Sequence, residues 1–439
     1  MSIKLGSLFD GSGGFPLAGA ISGIEPVWAA EVEPYPIAVT RSRFPRMEHL
    51  GSVTEVHGDK VRPVDVITFG SPCQDLSLAG KRAGIHDGQR SNLFFEAIRI
   101  IKEMRQATNG RYPTFVVWEN VPGAFSSNKG EDFRCVLEEF VKVCGGHTVP
   151  RPDKSKWKSS GEIVGDGYSV AWRQLDAQYW GVPQRRKRIY LVADFAGGRA
   201  GEILFERESL RGHPAPGRAP GQGTSADTAG SAGGSSDVER LNPIYALQGN
   251  GIDRAETARC NGRDWREGVC YDARGNGDGT HCPTLTGNHE NRVTDYTALC
   301  IGHGEPNSIT MANQANTLTC MHDQQAVLTS GKLPRKYIIR RLTPLECCRL
   351  QGFPDGWGIP DHKDRLSNEE LEFWQGVRDT CASIAGKPPK KYSTKSLTRW
   401  YNALHTDSAE YKMWGNGIAL PCAAFVLGNV VNVIRENME

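Results

Sequence analysis

The stretch IKLGSLFDGSGG, Ile3 to Gly14, decides the fold. A short apolar run that ends in closely spaced glycines and passes into a segment of helical period is a strand turning tightly into a helix. Glycines at such a turn let backbone N–H groups approach a ligand at the helix N-terminus, as in nucleotide-type cofactor sites. The spacing is not the dinucleotide GxGxxG, so the turn alone names no ligand. Glu31 closes the next candidate strand, where a carboxylate can accept both hydroxyls of a ribose or stand as an exposed strand-end charge.

Outward from that turn, the chain to about Phe195 alternates short apolar runs with segments of helical period. Candidate strands cover residues 3–9, 27–32, 65–69, 114–118, 169–175 and 189–193, and 93–104 and 131–143 have the apolar spacing of amphipathic helices. The expected fold class is α/β, a parallel sheet with crossover helices. Composition changes at residues 212–237, GHPAPGRAPGQGTSADTAGSAGGSSD, which has too little apolar content to offset the entropy of ordering it and reads as a linker. Residues 241–333 are rich in Gly, Asn, Thr and Asp, the composition of short irregular strands and turns. A faint duplication runs through them: Thr-Leu-Thr at 284–286 and at 317–319, each followed by a His and later by an Ala-Leu or Val-Leu ending. RRLTPLECCRLQGFP, from Arg340, carries a helix start, with Thr343 as N-cap, Pro344 in the first turn and Glu346 three residues on, and should stop near Gly352. The mixed, charged stretch 361–411 contains KPPKK at 387–391, a surface loop by composition, and residues 418–434 form an apolar run of helical length after Gly-Asn-Gly.

A chain of 439 residues exceeds one growing core, so a large catalytic domain and a smaller module are expected. A net charge of +2 excludes little, since a nucleic-acid enzyme can confine its positive charge to one cleft. No stretch approaches the ~20 apolar residues that span a bilayer, and the N-terminus lacks a signal pattern, so a soluble, cytoplasmic protein is expected. The twelve cysteines include no CxxC pair. Cys260, Cys270, Cys282, His281 and His289 match no standard zinc spacing, and reduced thiols with no metal are the reading they favour.

Three further motifs carry chemistry. GSPCQDLS, residues 70–77, follows an apolar strand and places Cys73 at the mouth of the sheet, where the rigid loop around Pro72 can hold a nucleophilic thiol outward. A lone cysteine is otherwise most often a buried structural one. WENVP, residues 118–122, ends a strand in Glu119, whose burial would raise its pKa and keep it a proton donor. QRRKRIY, residues 184–190, leads into a strand, and alternation puts Arg186 and Arg188 on one side, suited to one anionic or carbonyl target.

These four motifs in this order resemble the cytosine-C5 DNA methyltransferase family of bacteria and phages. RRLTPLECCRLQGFPDGW at 340–357 and Gly415-Asn-Gly-Ile418 extend the likeness, which covers roughly 3–195, 337–358 and 411–435. The resemblance implies a Rossmann-like sheet dependent on S-adenosyl-L-methionine, with a smaller, irregular β-rich target-recognition domain. The implied division is a catalytic and cofactor-binding domain at 1–195, completed by 411–439; a linker and recognition domain at 196–339; and a recognition-domain helix with a charged insertion at 340–410.

The implied activity is DNA (cytosine-5-)-methyltransferase on a flipped cytosine in a specific duplex site, in restriction-modification or phage DNA protection. Cys73 would add to carbon 6, Glu119 donate to ring nitrogen 3, and Arg186 or Arg188 hold the exocyclic oxygen and the cysteine loop; Gln74 and Ser77 are candidates for filling the gap left by the base. Implied cofactor contacts are Phe9, Gly11, Gly13, Gly14, Glu31, Val53, Pro72, Leu93 and Asn416. Ser52 stands where the family usually has an acid for the adenine amino group, and GNGI where GNSV is usual. Arg259, Arg263, Arg266, Arg274 and Arg292 are candidate phosphate contacts, and Thr284-Leu285 or Thr317-Leu318 candidate braces of the target pocket. Expected partners are double-stranded DNA and a cognate restriction endonuclease, the protein itself being a monomer. An RNA methyltransferase of the same fold would share Cys73 and Glu119, and a silent DNA-binding relative would have lost them.

Overall fold

Alternate residues of Ile3–Leu8 (β1) fall into two separate cores: Ile3 and Leu5 into one, Leu8 into the other. The same separation divides Phe115 and Val117 from Val116 and Trp118 on Phe115–Asn120 (β5), as a strand's period of two requires in a sheet covered on both faces. The computed structural model describes residues 2–72, 93–152, 156–205 and 342–436, and the backbone of four short strands between 269 and 341.

The remaining strands of the main sheet are Ile24–Ala30 (β2), Glu48–His49 (β3), Val66–Phe69 (β4), Ser160–Gly165 (β6), Tyr168–Asp176 (β7) and Lys187–Asp194 (β8). Their order is β3-β2-β1-β4-β5-β8-β7-β6. The first five are parallel, and β8, β7 and β6 add antiparallel to β5. From β1 the chain passes to β2 on one side and later to β4 on the other, so a crevice opens at the carboxyl ends of β1 and β4, where ligands bind in sheets of this kind. All six expected strands are present. The hairpin strand β6 and the two-residue β3 carry too little apolar alternation to be read from sequence.

Gly14–Ser22 (α1), the short Ala200–Leu204 (α5) and the last helix, here α10 (Leu420–Glu436), cover one face; Leu93–Ala107 (α3) and Glu131–Val143 (α4) cover the other. Pro344–Leu350 (α6) begins as its sequence signals: Glu346 N–H donates to Thr343 Oγ1 (3.2 Å), Thr343 N–H donates back to the Glu346 carboxylate (2.7 Å), and Gly352 follows with φ 82°. Its apolar side chains, with Phe353 and Trp357, join the core of β1 and α10. Grouped with the recognition module from sequence, this helix instead packs into the catalytic core, because Cys347, Cys348 and Leu350 form an apolar stripe facing Met413, Trp414 and Ile418.

The charged insertion is more ordered than its composition implies. Asn368–Ile384 (α7) has its own capping box, Ser367 with Glu370, and pairs with Thr394–Asn402 (α8). Leu366, Trp374, Leu397 and Tyr401 enclose a small core against Ile37 and Ala38 of Pro34–Arg43 (α2), and the Arg378 guanidinium lies 3.8 Å over Tyr392 and 4.6 Å over Trp400. Residues 387–391 are exposed, as expected of a surface loop. Asp407–Asn416 (α9) then leads to α10.

The four strands of the second sheet are Val269–Cys270 (β9), Thr297–Leu299 (β10), Ala326–Leu328 (β11) and Tyr337–Arg341 (β12), in order β11-β12-β10-β9 and wholly antiparallel. The Ala-Leu and Val-Leu endings of the faint duplication are β10 and β11, which flank β12 on either side. The linker at 212–237 and the candidate arginines, metal-ligating residues and Thr-Leu pairs between 259 and 318 lie outside the described residues, apart from the backbone of Cys270. No single helix among the described residues is long and apolar enough to cross a membrane.

Candidate active site

At the end of β1 the backbone enters the left-handed region at Phe9 (φ 55°), Gly11 (φ 54°) and Gly13 (φ 76°). That conformation is costly for Phe9 and nearly free for the glycines. The turn is tied at its root, since Asp10 N–H donates to Ala30 O (3.2 Å) and Gly13 N–H to Asp10 O (3.1 Å). Behind it, Trp357 Nε1 donates to Ser12 O (2.8 Å), and a Cβ on Gly14 would fall 2.6 Å from Ile418 Cγ1. In front there is room: a Cβ on Gly11 would meet nothing nearer than Phe9 O at 3.9 Å. Support behind and space before is the cradle that a ligand at a helix N-terminus needs.

Glu31, one residue past β2, closes this cradle. One carboxylate oxygen accepts from Gly11 N–H (2.8 Å), the other from Val32 and Glu33 N–H (2.8 and 2.9 Å). Burial pushes its pKa up against those three donors, and Glu33 adds to the rise. Asp10 is buried beside it, with one oxygen on the Ser7 hydroxyl (2.7 Å). Burial raises this carboxyl to about 8, the Ser7 bond holds it back, and Glu31 pushes it further. Phe9 and Leu93 pack against the core that contains Val53, while the Ser52 hydroxyl turns to Thr54 (2.7 Å).

Across the crevice, β4 runs into Gly70, buried Ser71 and exposed Pro72. Trp118 Nε1 donates to Ser71 Oγ (3.2 Å), and Asn120 Nδ2 to Ser71 O (3.0 Å). The Trp and Asn of the WENV motif thus hold the root of the segment that leads to Cys73. Cys73 itself, with Gln74 and Ser77, lies outside the described residues. Glu119 lies against the same root: a Cβ on Gly70 would be 3.2 Å from Glu119 Oε2, a tight approach that would press on the carboxylate.

Glu119 is 8% exposed. Arg188 Nε stands 3.1 Å from its Oε1, close enough for charge attraction but off the line of a hydrogen bond, so Oε1 has no hydrogen-bond partner. Burial pushes the Glu119 pKa up, Arg188 and Arg186 pull it back, and burial prevails. Tyr190 is the cross-strand partner of Glu119 and its buried hydroxyl is likewise unpartnered. Burial pushes the thiols of Cys144, Cys347, Cys348, Cys381 and Cys422 up, away from the thiolate form a nucleophile needs.

The two arginines, expected to reach one target, divide their work. Arg186 is 2% exposed; its guanidinium donates to Gly415 O (3.2 Å) and to Gly417 O, and its backbone N–H to Asp176 (3.1 Å). It clamps the junction of α9 and α10, leaving Asn416 exposed between the clamped residues. Gln351 Nε2 buckles the same junction through Trp414 O (2.8 Å). Arg188 approaches the Glu119 carboxylate to 3.1 Å, and Arg186 also acts on its charge. Asp10, Ser71 and Asn120 were not singled out from sequence; a charge inside a glycine turn and an Asn directly after the strand-end Glu were the available signals.

Among the described residues one trio could hold a metal ion, His57, Asp59 and Glu103, but it is a surface group in which Glu103 is paired with Arg99 (2.9 Å).

The family model for C-5 cytosine-specific DNA methylase matches residues 3–144 and 160–370. A DNA N-6-adenine-methyltransferase of Escherichia phage P1 is 29% identical across 99% of this chain and 62% of its own length. The type II methyltransferase M1.HphI of Haemophilus parahaemolyticus is 31% identical across 48% of this chain and 50% of its own. The chain therefore spans less than two thirds of the length of these relatives. In structure, the chain is similar to the S. pombe Dnmt2 methyltransferase, with TM-score 0.53 at 15% identity, covering 100% of this chain and 99% of that one, a likeness of fold.

Proposed function

The chain belongs to the C-5 cytosine-specific DNA methylase family, and from that premise we propose that it transfers a methyl group from S-adenosyl-L-methionine to carbon 5 of a flipped cytosine in duplex DNA. The observation that carries the proposal is the buried Glu119 carboxyl lying against Gly70, three residues before Cys73, with Arg188 beside it. When bound, the cofactor supplies a methyl group on an electron-poor sulfonium.

The Cys73 thiolate adds to carbon 6 of the ring, and the displaced electron pair flows toward carbon 5 and nitrogen 3. Glu119, kept protonated by burial, donates its proton to nitrogen 3 and so neutralises the charge that the addition creates. Arg188 stabilises the carboxylate left behind. Carbon 5 then takes the methyl group, whose former bonding pair stays on sulfur. The carbon 5 proton then leaves to solvent, its bonding pair forms the 5,6 double bond as Cys73 departs as thiolate, and Glu119 recovers its proton from nitrogen 3. Phe9, Gly11, Gly13, Gly14, Glu31, Val53, Pro72, Leu93 and Asn416 would hold the cofactor; the room in front of Gly11 and the three backbone donors fixing Glu31 fit a ribose-bearing ligand. Arg186 would act at one remove, by fixing the junction that presents Asn416.

The phage relative is named for methylation of adenine N-6. An exocyclic amine brings its own lone pair and needs no thiol, so the cytosine reading alone depends on Cys73. A recognition role for 196–339, a cognate restriction endonuclease, a monomeric state and a cytoplasmic location belong to the same proposal. The test incubates purified protein with tritiated S-adenosylmethionine and unmethylated genomic DNA, with transfer RNA in parallel, and bisulfite-sequences the product. Label at cytosines in one short context supports the proposal; label at adenine, or in RNA alone, overturns it.

A further inference from the structure

Two carboxyls stand at the cofactor end of the crevice, Asp10 buried and Glu31 half-buried, and they differ in what satisfies them. Glu31 has both oxygens filled by backbone N–H groups. Asp10, 6% exposed, has one oxygen on Ser7, while its Oδ2 has no hydrogen-bond partner among the described residues. Among the described residues no cation lies within ion-pair distance of either. The groups facing Asp10 are Ser7 from β1 and Glu31 from the end of β2; Glu33 beyond is itself paired with Lys412 of α9 (3.1 Å), and α1 brings no charged residue to its first turn. A buried acid without a counter-charge is costly to any fold, and a pair of them more so. A site that keeps this arrangement suits a positively charged ligand.

We propose that the Asp10 carboxylate is the counter-charge to the sulfonium of S-adenosylmethionine, so that this site holds the cationic methyl donor more tightly than its neutral thioether product. The inference rests on the cofactor reading above and adds a residue and a selectivity to it. It requires no contact, since Asp10 acts through the field across a water-poor turn. In the ligand-free protein Asp10 carries a proton up to a pH of about 8. Arrival of the sulfonium favours the carboxylate, and the proton leaves to solvent. Transfer of the methyl group returns the sulfur to a neutral thioether, Asp10 takes up a proton again, and the product loses the attraction that held the donor.

The test is calorimetric titration of S-adenosylmethionine and of S-adenosylhomocysteine into the full-length protein between pH 6.5 and 9, in two buffers of different ionisation enthalpy. For the unmodified protein near pH 7 the donor should release roughly 0.4 to 0.8 of a proton and the thioether none, and donor affinity should climb toward pH 8. Asp10→Asn should weaken the donor by roughly ten- to a hundredfold, as a charge pair roughly 6 to 12 Å apart at an effective dielectric near 20 implies, and change the thioether less than about twofold. Ser7→Ala, which removes the hydroxyl favouring the carboxylate, should move the climb in donor affinity to higher pH. Equal proton release for both ligands, or equal loss of both in Asp10→Asn, overturns the assignment while leaving the cofactor reading in place. A folded wild-type protein that binds neither ligand overturns both.

Discussion

Two ends of one crevice use carboxyl groups in opposite electrostatic settings. At the carboxyl ends of β1 and β2, buried Asp10 and half-buried Glu31 lie together with no cation beside them among the described residues. Three strands away from β2, at the end of β5, Glu119 is buried with Arg188 at 3.1 Å and Arg186 close enough to lower its pKa. Burial raises all three, yet the consequences differ. Among the described residues the first end is short of positive charge, whereas the second sets a buried acid against guanidinium groups that favour its carboxylate. Under the proposed function, the first end would hold the methyl donor and the second the accepting base.

The largest effects should fall on the acceptor end alone. Cys73→Ala should reduce cytosine methylation by more than about 10⁴-fold, as loss of a covalent nucleophile does, with S-adenosylmethionine affinity within twofold of wild type. A concurrent loss of affinity would show that the two ends are not separable. Glu119→Gln should lower kcat by roughly 10²- to 10⁴-fold, the range for a positioned proton donor, again sparing cofactor affinity in a binding titration. An unchanged rate would remove Glu119 from the chemistry.

Sharper and smaller is the pH dependence. The rate should fall as pH rises through the Glu119 pKa, which burial holds above the ordinary carboxyl range. Arg188→Gln removes an attraction that favours the carboxylate, so its alkaline limb should move to higher pH; a shift to lower pH would contradict the observed geometry. The smallest effect belongs to the donor end and to stability. Because the folded-state pKa of Asp10, about 8, exceeds the 3.8 of an unperturbed aspartate, the folded protein retains a proton between those values that the unfolded chain has lost. Its contribution to stability therefore declines from about pH 4 to 8. Asp10→Asn should leave Tm nearly unchanged at pH 4 and raise it by a few degrees at pH 8.5, measured by calorimetry without cofactor.

Legibility in the sequence followed how local each signal was. The glycine turn after β1, the Thr343–Glu346 capping box and the apolar strands are written within a few residues, and the structure has them where expected. The insertion was less legible. Its capping box, Ser367 with Glu370, is as plain as that of α6, but the core it starts depends on Trp374 and Tyr401 meeting Ile37 and Ala38, more than 300 residues earlier. Alternation put Arg186 and Arg188 on one side of their segment, yet it could not divide their roles, because the carbonyls that occupy Arg186 belong to Gly415 and Gly417.

By itself the sequence determined the α/β class, the order of the motifs and the chemical type of each site residue, since these depend on period, turn chemistry and residue identity along the chain. Tertiary structure alone decided which of those residues share a setting: that Glu119 lies against Gly70, that Asn120 holds Ser71, that Arg186 clamps the junction before α10, and that Asp10 is enclosed beside Glu31. The reason is physical. A pKa, a counter-charge and an unfilled hydrogen bond are properties of what surrounds a group in space, and burial brings together side chains that the chain keeps tens to hundreds of residues apart.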